Sequence, residues 1–274
     1  MLLRLLARIT NSGKGLSALS LVSLTCISCP AQRVLATFTT PPEALSQNFH
    51  IPVSIALTPI TDLPDSMLTL TEVTADGKQT TIPSQIDSGH RRYLNWLISP
   101  RAQKKPGTFR LIEKKSSPVT ISGPGISKNE NELIIKSGPR QLIQYNYKTV
   151  YPPKGIDSVF RRSGFIHPLW APHGQVLTRI QPPDHYHHYG IWNPWTHILF
   201  EGDTLDLWNL DRKQGTVRFS KFISFQQGDV FAEYSALHEH VSFNQGSEKA
   251  LLNEIQTVRV YRTDDPDYYI ADLV

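Results

Sequence analysis

Residues 163–210 constrain this chain more than any other stretch. They hold six of the ten histidines and four of the five tryptophans, set among glycines and prolines. Imidazole titrates near neutral pH and is the commonest metal ligand in proteins. Indole offers a flat apolar face with one hydrogen-bond donor. Packing alone does not require both side chains at this density, so the sequence predicts a functional site here.

Residues 1–31 have the pattern of a secretory signal. These residues include three basic side chains and no acidic one. A short apolar segment follows the basic residues, and small residues then precede a predicted cleavage site after Ala31. The apolar segment is too short for a membrane-spanning helix. We therefore expect a periplasmic or extracellular protein that has no integral membrane segment once residues 1–31 are removed. A lipid anchor at Cys29 is the alternative.

The composition narrows the classes of partner. Both cysteines lie within residues 1–31, so the mature chain is expected to have no disulfide. Three of the positive charges behind the formal net charge of +4 also lie there, and the remainder is close to neutral. No basic run with interleaved aromatic residues follows, so no nucleic-acid partner is predicted.

The rest of the chain has the short alternating patterns of β-strands. After a linker at residues 32–50, residues 51–120 alternate apolar and polar side chains, with Asp76-Gly77 as a tight turn. Residues 132–274 hold longer segments rich in Phe, Tyr, Val and Ile. We predict an all-β protein, with a small N-terminal β-sandwich followed by a larger antiparallel β-sandwich that carries the site. Because the last residues form an apolar, strand-like run, we also expect the chain to be truncated at its C-terminus.

Asp184-His185-Tyr186-His187-His188 is the densest part of the site. The two prolines before it disfavour helix and favour an extended or turning segment. If the segment is extended, His185 and His187 point to one side and His188 to the other. One hypothesis is acid–base chemistry by these imidazoles, with Asp184 orienting a ring. The other is a metal site completed by a third ligand, for which three histidines are candidates: His167, His173 and His197.

Other residues are assigned to ligand binding or to packing. Trp192 and Trp195 flank a turn beside the histidines and are candidates for stacking on a ligand. Arg179 is a candidate anchor for an anionic group, with a surface ion pair as the alternative, and Trp208 is expected in the core. Nearby carboxylates that fit as acid–base partners are Glu201, Asp203 and Asp206. His238 and His240 alternate on a later strand and are expected to face solvent, so they are left out of the site.

The run HPLWAPHGQVLTRIQPPDHYHHYGIW, residues 167–192, resembles the signature of the PmoA-type bacterial family. In that family H-P-L-x-x-P-x-G-x-x-L-T-R is followed by P-x-D-H-x-H-H-R-G-L-W. The residues that fall on motif positions are His167, Gly174, Thr178, Arg179, Asp184, His185, His187, His188, Gly190 and Trp192. Tyr189 departs from the pattern, because the family usually has Arg there, which would recognise an acidic group.

The resemblance covers residues 50–274 weakly and implies a family of essentially unassigned function. The family's label, methane oxygenase, implies a copper oxygenase subunit. Its members extend beyond this C-terminus, which agrees with the expected truncation.

Two enzyme classes and one non-catalytic class follow as hypotheses. The first is a secreted carbohydrate-active protein, in which His185, His187, His188 and Asp184 act as acid and base. Its sugar or glycoside would be bound by His167, Arg179, Trp192 and Trp195, with no cofactor. The second is a metal-dependent oxidoreductase, as the family label implies, and the third is a non-catalytic binding protein. No phosphate-binding loop or nucleophile-elbow motif is found, which argues against nucleotide cofactors and serine hydrolysis.

Overall fold

Antiparallel β-sheets build this protein, because its apolar residues recur with the period of two that places alternate side chains on one face of a strand. The computed structural model describes residues 32–40, 46–89, 91–100, 106–114, 123–243 and 247–274. Over those ranges the chain has strands, turns and short 3₁₀ segments and no α-helix, so the predicted all-β class is confirmed. The same residues include no helix that is able to cross a membrane. The predicted signal segment, residues 1–31, lies outside the described residues.

The N-terminal half forms a sandwich of two small sheets. Its strands are β1 (Val34–Thr39), β2 (Ile51–Ala56), β3 (Leu68–Val73), β4 (Gln79–Thr81), β5 (Gln85–Ser88), β6 (Arg92–Ile98) and β7 (Thr108–Glu113). One sheet has the order β1-β7-β3-β4 and the other the order β2-β6-β5. Leu70, Trp96 and Leu111 are among the fully buried side chains of the core between them. This is the small β-sandwich that the sequence predicts.

Strand β1 lies within residues 32–50, which were predicted to form a linker. It pairs antiparallel with β7, and Phe38 lies opposite Phe109. Partly buried Leu35, Ala36 and Phe38 pack against the core of the sandwich. The local pattern of polar and apolar residues in this segment predicts no strand. The strand is stabilised instead by burial of these side chains against the sandwich.

The C-terminal half forms a larger sandwich. One sheet, of order β11-β10-β9-β8, contains β8 (Gly125–Lys128), β9 (Glu132–Ser137), β10 (Arg140–Asn146) and β11 (Phe165–Leu169). The facing sheet, of order β14-β15-β16-β17, contains β14 (Gly215–Gln227), β15 (Phe231–Ser242), β16 (Lys249–Tyr261) and β17 (Ile270–Leu273). A hairpin of β12 (Ile198–Phe200) and β13 (Asp203–Leu205) lies between them in the chain. Tyr145, Ile166, Tyr234 and Val258 are fully buried in the shared core.

The two sandwiches contact each other, and residues 32–274 form one compact unit. The side-chain oxygen of Gln85 accepts hydrogen bonds from the backbone N–H groups of Val230 and Phe231 at 3.1 and 3.0 Å. Arg259 lies between Glu233, at 2.6 Å, and Asp87, at 3.4 Å. These contacts tie the N-terminal sandwich to strands β15 and β16, while the predicted domain limits stay a prediction.

Candidate functional site

The histidine-rich loop leaves strand β11 and is fastened back to it. Ile166 and Ile191 form an antiparallel bridge, with hydrogen bonds of 2.9 and 3.1 Å in the two directions. Gly190 lies beside this bridge with φ +52°, and a Cβ atom there would come within 2.2 Å of the Ile166 carbonyl oxygen. Only glycine permits this approach, which holds the preceding histidines at a fixed position against the sheet.

Residues 182–188 form two consecutive turns. The His185 N–H donates to the Pro182 carbonyl at 2.8 Å, and the His188 N–H donates to the His185 carbonyl at 3.1 Å. The extended arrangement, with His185 and His188 on opposite sides, is therefore wrong. The turns satisfy these N–H groups with carbonyls of the segment itself.

The turns bring three imidazoles together. The rings of His185 and His188 stack, with centroids 4.9 Å apart and planes 11° apart. His187 stands edge-on to both, with centroids 5.6 Å from His185 and 4.4 Å from His188. We call these three side chains, with Asp184, Trp192 and Trp208, the His/Trp cluster. The structure places these three candidate catalytic histidines in mutual contact.

Charge and burial differ among the cluster's polar groups. Asp184 Oδ2 lies 3.1 Å from His185 Nδ1, and both side chains are largely exposed. This hydrogen bond lowers the pKa of Asp184, which stays an anion at neutral pH. Partial burial, together with the neighbouring His188 and His185, lowers the pKa of His187. His187 is therefore a neutral imidazole at pH 7, with one nitrogen available as an acceptor.

Two indoles form the wall behind the imidazoles. The ring of Trp208 lies 6.0 Å from that of His188 and 5.2 Å from that of Trp192. Trp208 is only partly buried, so its predicted place in the core is corrected to a place in this wall. Its partial exposure reflects its position in a loop at the edge of the sandwich.

A buried arginine lies beneath the wall. The guanidinium carbon of Arg162 lies 3.6 Å from the centroid of the Trp192 ring, and the residue is 2% exposed. Arg162 carries no signal in the sequence, because nothing there distinguishes it from its exposed neighbour Arg161.

Tyr189, at the position where the resembled signature has Arg, lies in the core. Its ring packs edge-on against Phe165 at 4.7 Å. Its hydroxyl donates to the Phe160 carbonyl at 2.5 Å and accepts a hydrogen bond from the Gln181 side chain. Burial raises the pKa of Tyr189 to about 12, so it is a neutral structural residue at neutral pH.

The predicted ligand-binding residues are spread around the cluster. His167 Nδ1 lies 3.0 Å from the Thr178 hydroxyl, and burial lowers the pKa of this imidazole. Arg179 is exposed, and its charge contributes to lowering the pKa of Asp184. Trp195 is 46% exposed and follows Trp192 by three residues. Within the described ranges, none of these three side chains makes a ring or hydrogen-bond contact with the three clustered imidazoles.

The remaining candidates make contacts elsewhere. His173 pairs with Asp267 at 3.1 Å, and the ring of His197 contacts Thr196. Glu201 pairs with Lys249. Over the ranges that the structure describes, no three or more His, Cys, Asp or Glu side chains are grouped so as to hold a metal ion.

Asp206 has a structural role. It accepts hydrogen bonds from the backbone N–H groups of Trp208 and Asn209, both at 2.9 Å, and pairs with Arg212. Burial opposes its ionisation, but the bonds from Asn209 and Trp208 and the charge of Arg212 outweigh burial and lower its pKa. Asp206 thus fixes the loop that carries Trp208.

A second polar group, which the sequence analysis left out, lies on the core face of β15 and β16. His238 and His240 are each 1% exposed, so the expectation that they face solvent is wrong. His238 Nε2 lies 2.5 Å from the Tyr145 hydroxyl, and His240 Nε2 lies 2.7 Å from Glu254 Oε2. Glu254 stands directly opposite His238 in the β15–β16 register.

This network reaches the histidine-rich loop. The ring of Trp195 lies 5.4 Å from that of His240, and the Asn193 side chain hydrogen-bonds to Glu254. Burial lowers the pKa of His238 to about 4. Burial opposes ionisation of Glu254, yet hydrogen bonds from His240 and Asn193 lower its pKa overall. The network is thus a neutral His238 beside a carboxylate, under the loop that carries Trp195.

Another concavity lies away from this loop. A cavity of about 290 Å³ is lined by residues of both sandwiches, among them His50, Leu97 and Val230. None of the residues that the sequence predicted for the site lines it.

The fold and the site define an antiparallel all-β protein with a histidine and tryptophan cluster on the loop after β11. The chain belongs to a family of unknown function, DUF6807, whose model matches residues 132–273. The matched region contains the second sandwich, the cluster and the network under Trp195. Comparisons with curated proteins and with solved structures found no match.

The predicted membership of the PmoA-type family is wrong, because the family comparison finds DUF6807 and nothing that shows a PmoA-type family. The short motif at residues 167–192 carried that resemblance, whereas the family model weighs the whole second sandwich. The oxygenase activity in the hypothesis of a metal-dependent oxidoreductase was taken from that resemblance, and the comparisons do not test that hypothesis.

Proposed function

We propose that this protein binds a sugar or glycoside at the His/Trp cluster and that the imidazoles act on it as acid and base. The observation that carries the proposal is the grouping of three imidazoles with centroids 4.4–5.6 Å apart, beside two indoles and one carboxylate. The rings are partly exposed, so a ligand reaches them without rearrangement of the fold.

Hydroxyl-rich ligands suit this chemistry. A neutral imidazole offers one donor and one acceptor, and a sugar hydroxyl needs both. Three imidazoles side by side offer ring nitrogens to neighbouring hydroxyls on one sugar. Trp195 adds a large aromatic surface that is 46% exposed, on which the apolar face of a pyranose would stack. The site is an open surface more than a deep cavity, which suits a sugar at the end of a longer glycan.

The cluster also holds the groups for proton transfer. His187, with its lowered pKa, would accept a proton at neutral pH. His185 lies 3.1 Å from Asp184, which orients its ring, and is the candidate donor of a proton. A base and an acid side by side support a hydrolase, lyase or epimerase type of reaction.

The proposed location is outside the cytoplasm. It follows from the basic and apolar pattern of residues 1–31 and from a mature chain without cysteine. Glycans of the cell surface or the surroundings are then the accessible ligands. N-terminal sequencing of the protein isolated from its producing cell tests the location, and a chain that retains Met1 in the cytoplasm contradicts it.

A glycan library tests the proposed function. Purified protein is screened for binding and for turnover, beside the variant His187→Ala/His188→Ala and the control His173→Ala. The control removes an exposed imidazole that pairs with Asp267 outside the cluster. We expect the wild type and the control to bind the same glycans, and the double variant to bind them at least about tenfold more weakly. Absence of any glycan ligand, or equal binding by the double variant, contradicts the proposal.

A further inference from the structure

Arg162 is a cation fixed inside the second sandwich. Its backbone forms a bridge with Val150, with hydrogen bonds of 2.8 and 3.0 Å, so the residue cannot shift toward solvent without breaking that bridge. The residue is 2% exposed. Burial lowers the pKa of the guanidinium to about 9, which still leaves it charged at neutral pH.

The charge of Arg162 is not neutralised by an acidic side chain. Its Nη2 donates to the Leu207 carbonyl at 3.3 Å, and its plane lies over Trp192. Its Nε is buried and has no hydrogen-bond partner. In the part of the chain that the structure describes, no carboxylate forms an ion pair with it, and its charge interacts with the side chain of Tyr189.

Arg259 is a partly buried arginine, and its ion pairs can be compared with the surroundings of Arg162. Its side chain is 18% exposed and forms ion pairs with Glu233 and Asp87 at 2.6 and 3.4 Å. Two carboxylates thus surround the less buried cation, while the more buried one has none. Because an uncompensated buried charge is costly, Arg162 is explained best by an anion that comes from outside the chain.

The position of Arg162 places that anion at the His/Trp cluster. Trp192 stacks on the guanidinium and packs against Trp208, which in turn contacts His188. The charge of Arg162 reaches His187 strongly enough to contribute to its lowered pKa, against a raising effect of Asp211. The other charged groups near the imidazoles are Asp184, which lies 3.1 Å from His185, and Asp211. A cation under a thin aromatic layer attracts anions at the surface above it, since the intervening medium screens weakly.

We propose that the ligand of the His/Trp cluster is a sugar that bears an oxyanion, most simply the carboxylate of a uronic acid, and that Arg162 selects for it. The inference rests on the proposed sugar-binding function and names its substrate class. The imidazoles hold the hydroxyls, and the buried guanidinium supplies a positive charge that no carboxylate of the described residues pairs with. The oxyanion lies among the imidazoles.

The test compares matched sugars on the intact protein by isothermal titration calorimetry at pH 7. The probes are galacturonate-terminated, galactose-terminated and 6-sulfogalactose-terminated oligosaccharides of the same length. We expect the uronate to bind at least about tenfold more tightly than the neutral sugar, with a preference that weakens as salt is added. Equal affinities for the sulfated sugar and the uronate would show that the site accepts either oxyanion, a sulfate ester or a carboxylate. Binding of the sulfated sugar alone would assign it to a sulfate ester and remove the carboxylate from the proposal.

Variants then assign the preference to Arg162. Arg162→Met and Arg162→Gln both remove the charge, and Gln keeps a donor for the Leu207 carbonyl. Both are expected to lose the preference for the charged sugar and to keep binding of the neutral one, while the exposed neighbour's variant Arg161→Met behaves as wild type. If neither Arg162 variant folds, the affinities of the wild-type protein for the charged and neutral sugars, and the dependence of their ratio on salt, still test the preference for an oxyanion.

The outcomes separate the two proposals. Equal or tighter binding of the neutral sugar by the wild type overturns the role of Arg162 and leaves the sugar site standing. An unchanged preference in folded Arg162→Gln overturns it as well. Failure of every probe and of the glycan library overturns the sugar site, and the role of Arg162 with it.

Discussion

Acidification should destabilise this protein through His238 well before its carboxylates titrate. Burial lowers the pKa of the His238 imidazole from 6.5 to about 4 in the folded chain. In the unfolded chain the ring takes up a proton near pH 6.5, so the unfolded state binds more protons between pH 6.5 and pH 4. Stability from this group is therefore complete above pH 6.5 and is lost as the pH falls toward 4. Between pH 7 and pH 5 the loss is about 2 kcal/mol.

The change is measured as the free energy of unfolding in urea, followed by tryptophan fluorescence at pH 7 and pH 5. His238→Gln keeps a neutral hydrogen-bonding partner for the Tyr145 hydroxyl and carries no charge at either pH. It is expected to remove most of the pH dependence, while the control His173→Gln, which removes an exposed imidazole, should keep it. A wild-type protein equally stable at both pH values, or a full pH dependence in His238→Gln, refutes the buried, neutral state of His238.

Two further substitutions probe the scaffold of the site. Gly190→Ala should lower the free energy of unfolding by about 2–4 kcal/mol in the same urea assay, because its Cβ would meet the Ile166 carbonyl at 2.2 Å and its φ is positive. Gly174→Ala, whose Cβ meets nothing within 4 Å, should cost only about 1 kcal/mol of backbone strain, and equal costs contradict the close approach. Glu254→Gln should lower stability at pH 7 by about 1–2 kcal/mol, because the charge-assisted bond to His240 becomes a neutral one. No loss of stability in that variant contradicts the ionised state of Glu254.

The strands were predictable where alternation is sustained. The apolar alternation of Ile51–Ala56 and Leu68–Val73 predicts β2 and β3, and both lie where expected. Strand β1 and the hairpin of β12 and β13 are short, and their stability comes from partners distant in sequence or from a tight turn. A local pattern carries no record of such partners, which is why those elements were missed.

The buried network could have been found in part. The alternation that puts Tyr234 and Ala236 into the core continues through His238 and His240 on the same face of β15. Their polarity suggested solvent exposure, but the period of two decides which face a residue occupies. The pairing with Glu254 depends on the β15–β16 register, which the sequence alone does not fix.

The sequence singles out the segment of the candidate site, whose role stays a prediction, but the geometry of that segment was not predictable. The extended alternative separated His185 from His188, whereas successive turns stack these rings. Turn geometry here depends on hydrogen bonds within residues 182–188 and on the bridge at Ile166, a contact that no local pattern records. Arg162 carries no sequence signal at all, since its burial follows from the packing of Trp192 over it.

One measurement tests the central claim, that the ligand lies on the His/Trp cluster. The protein is labelled with carbon-13 at the histidine Cε1 positions and titrated with the tightest glycan from the library, and the imidazole resonances are assigned by single His→Gln variants. We predict that the resonances of His185, His187 and His188 shift on binding, while that of His173 stays in place. Shifts confined to His50, which lines the cavity of about 290 Å³, would place the ligand there and contradict the account.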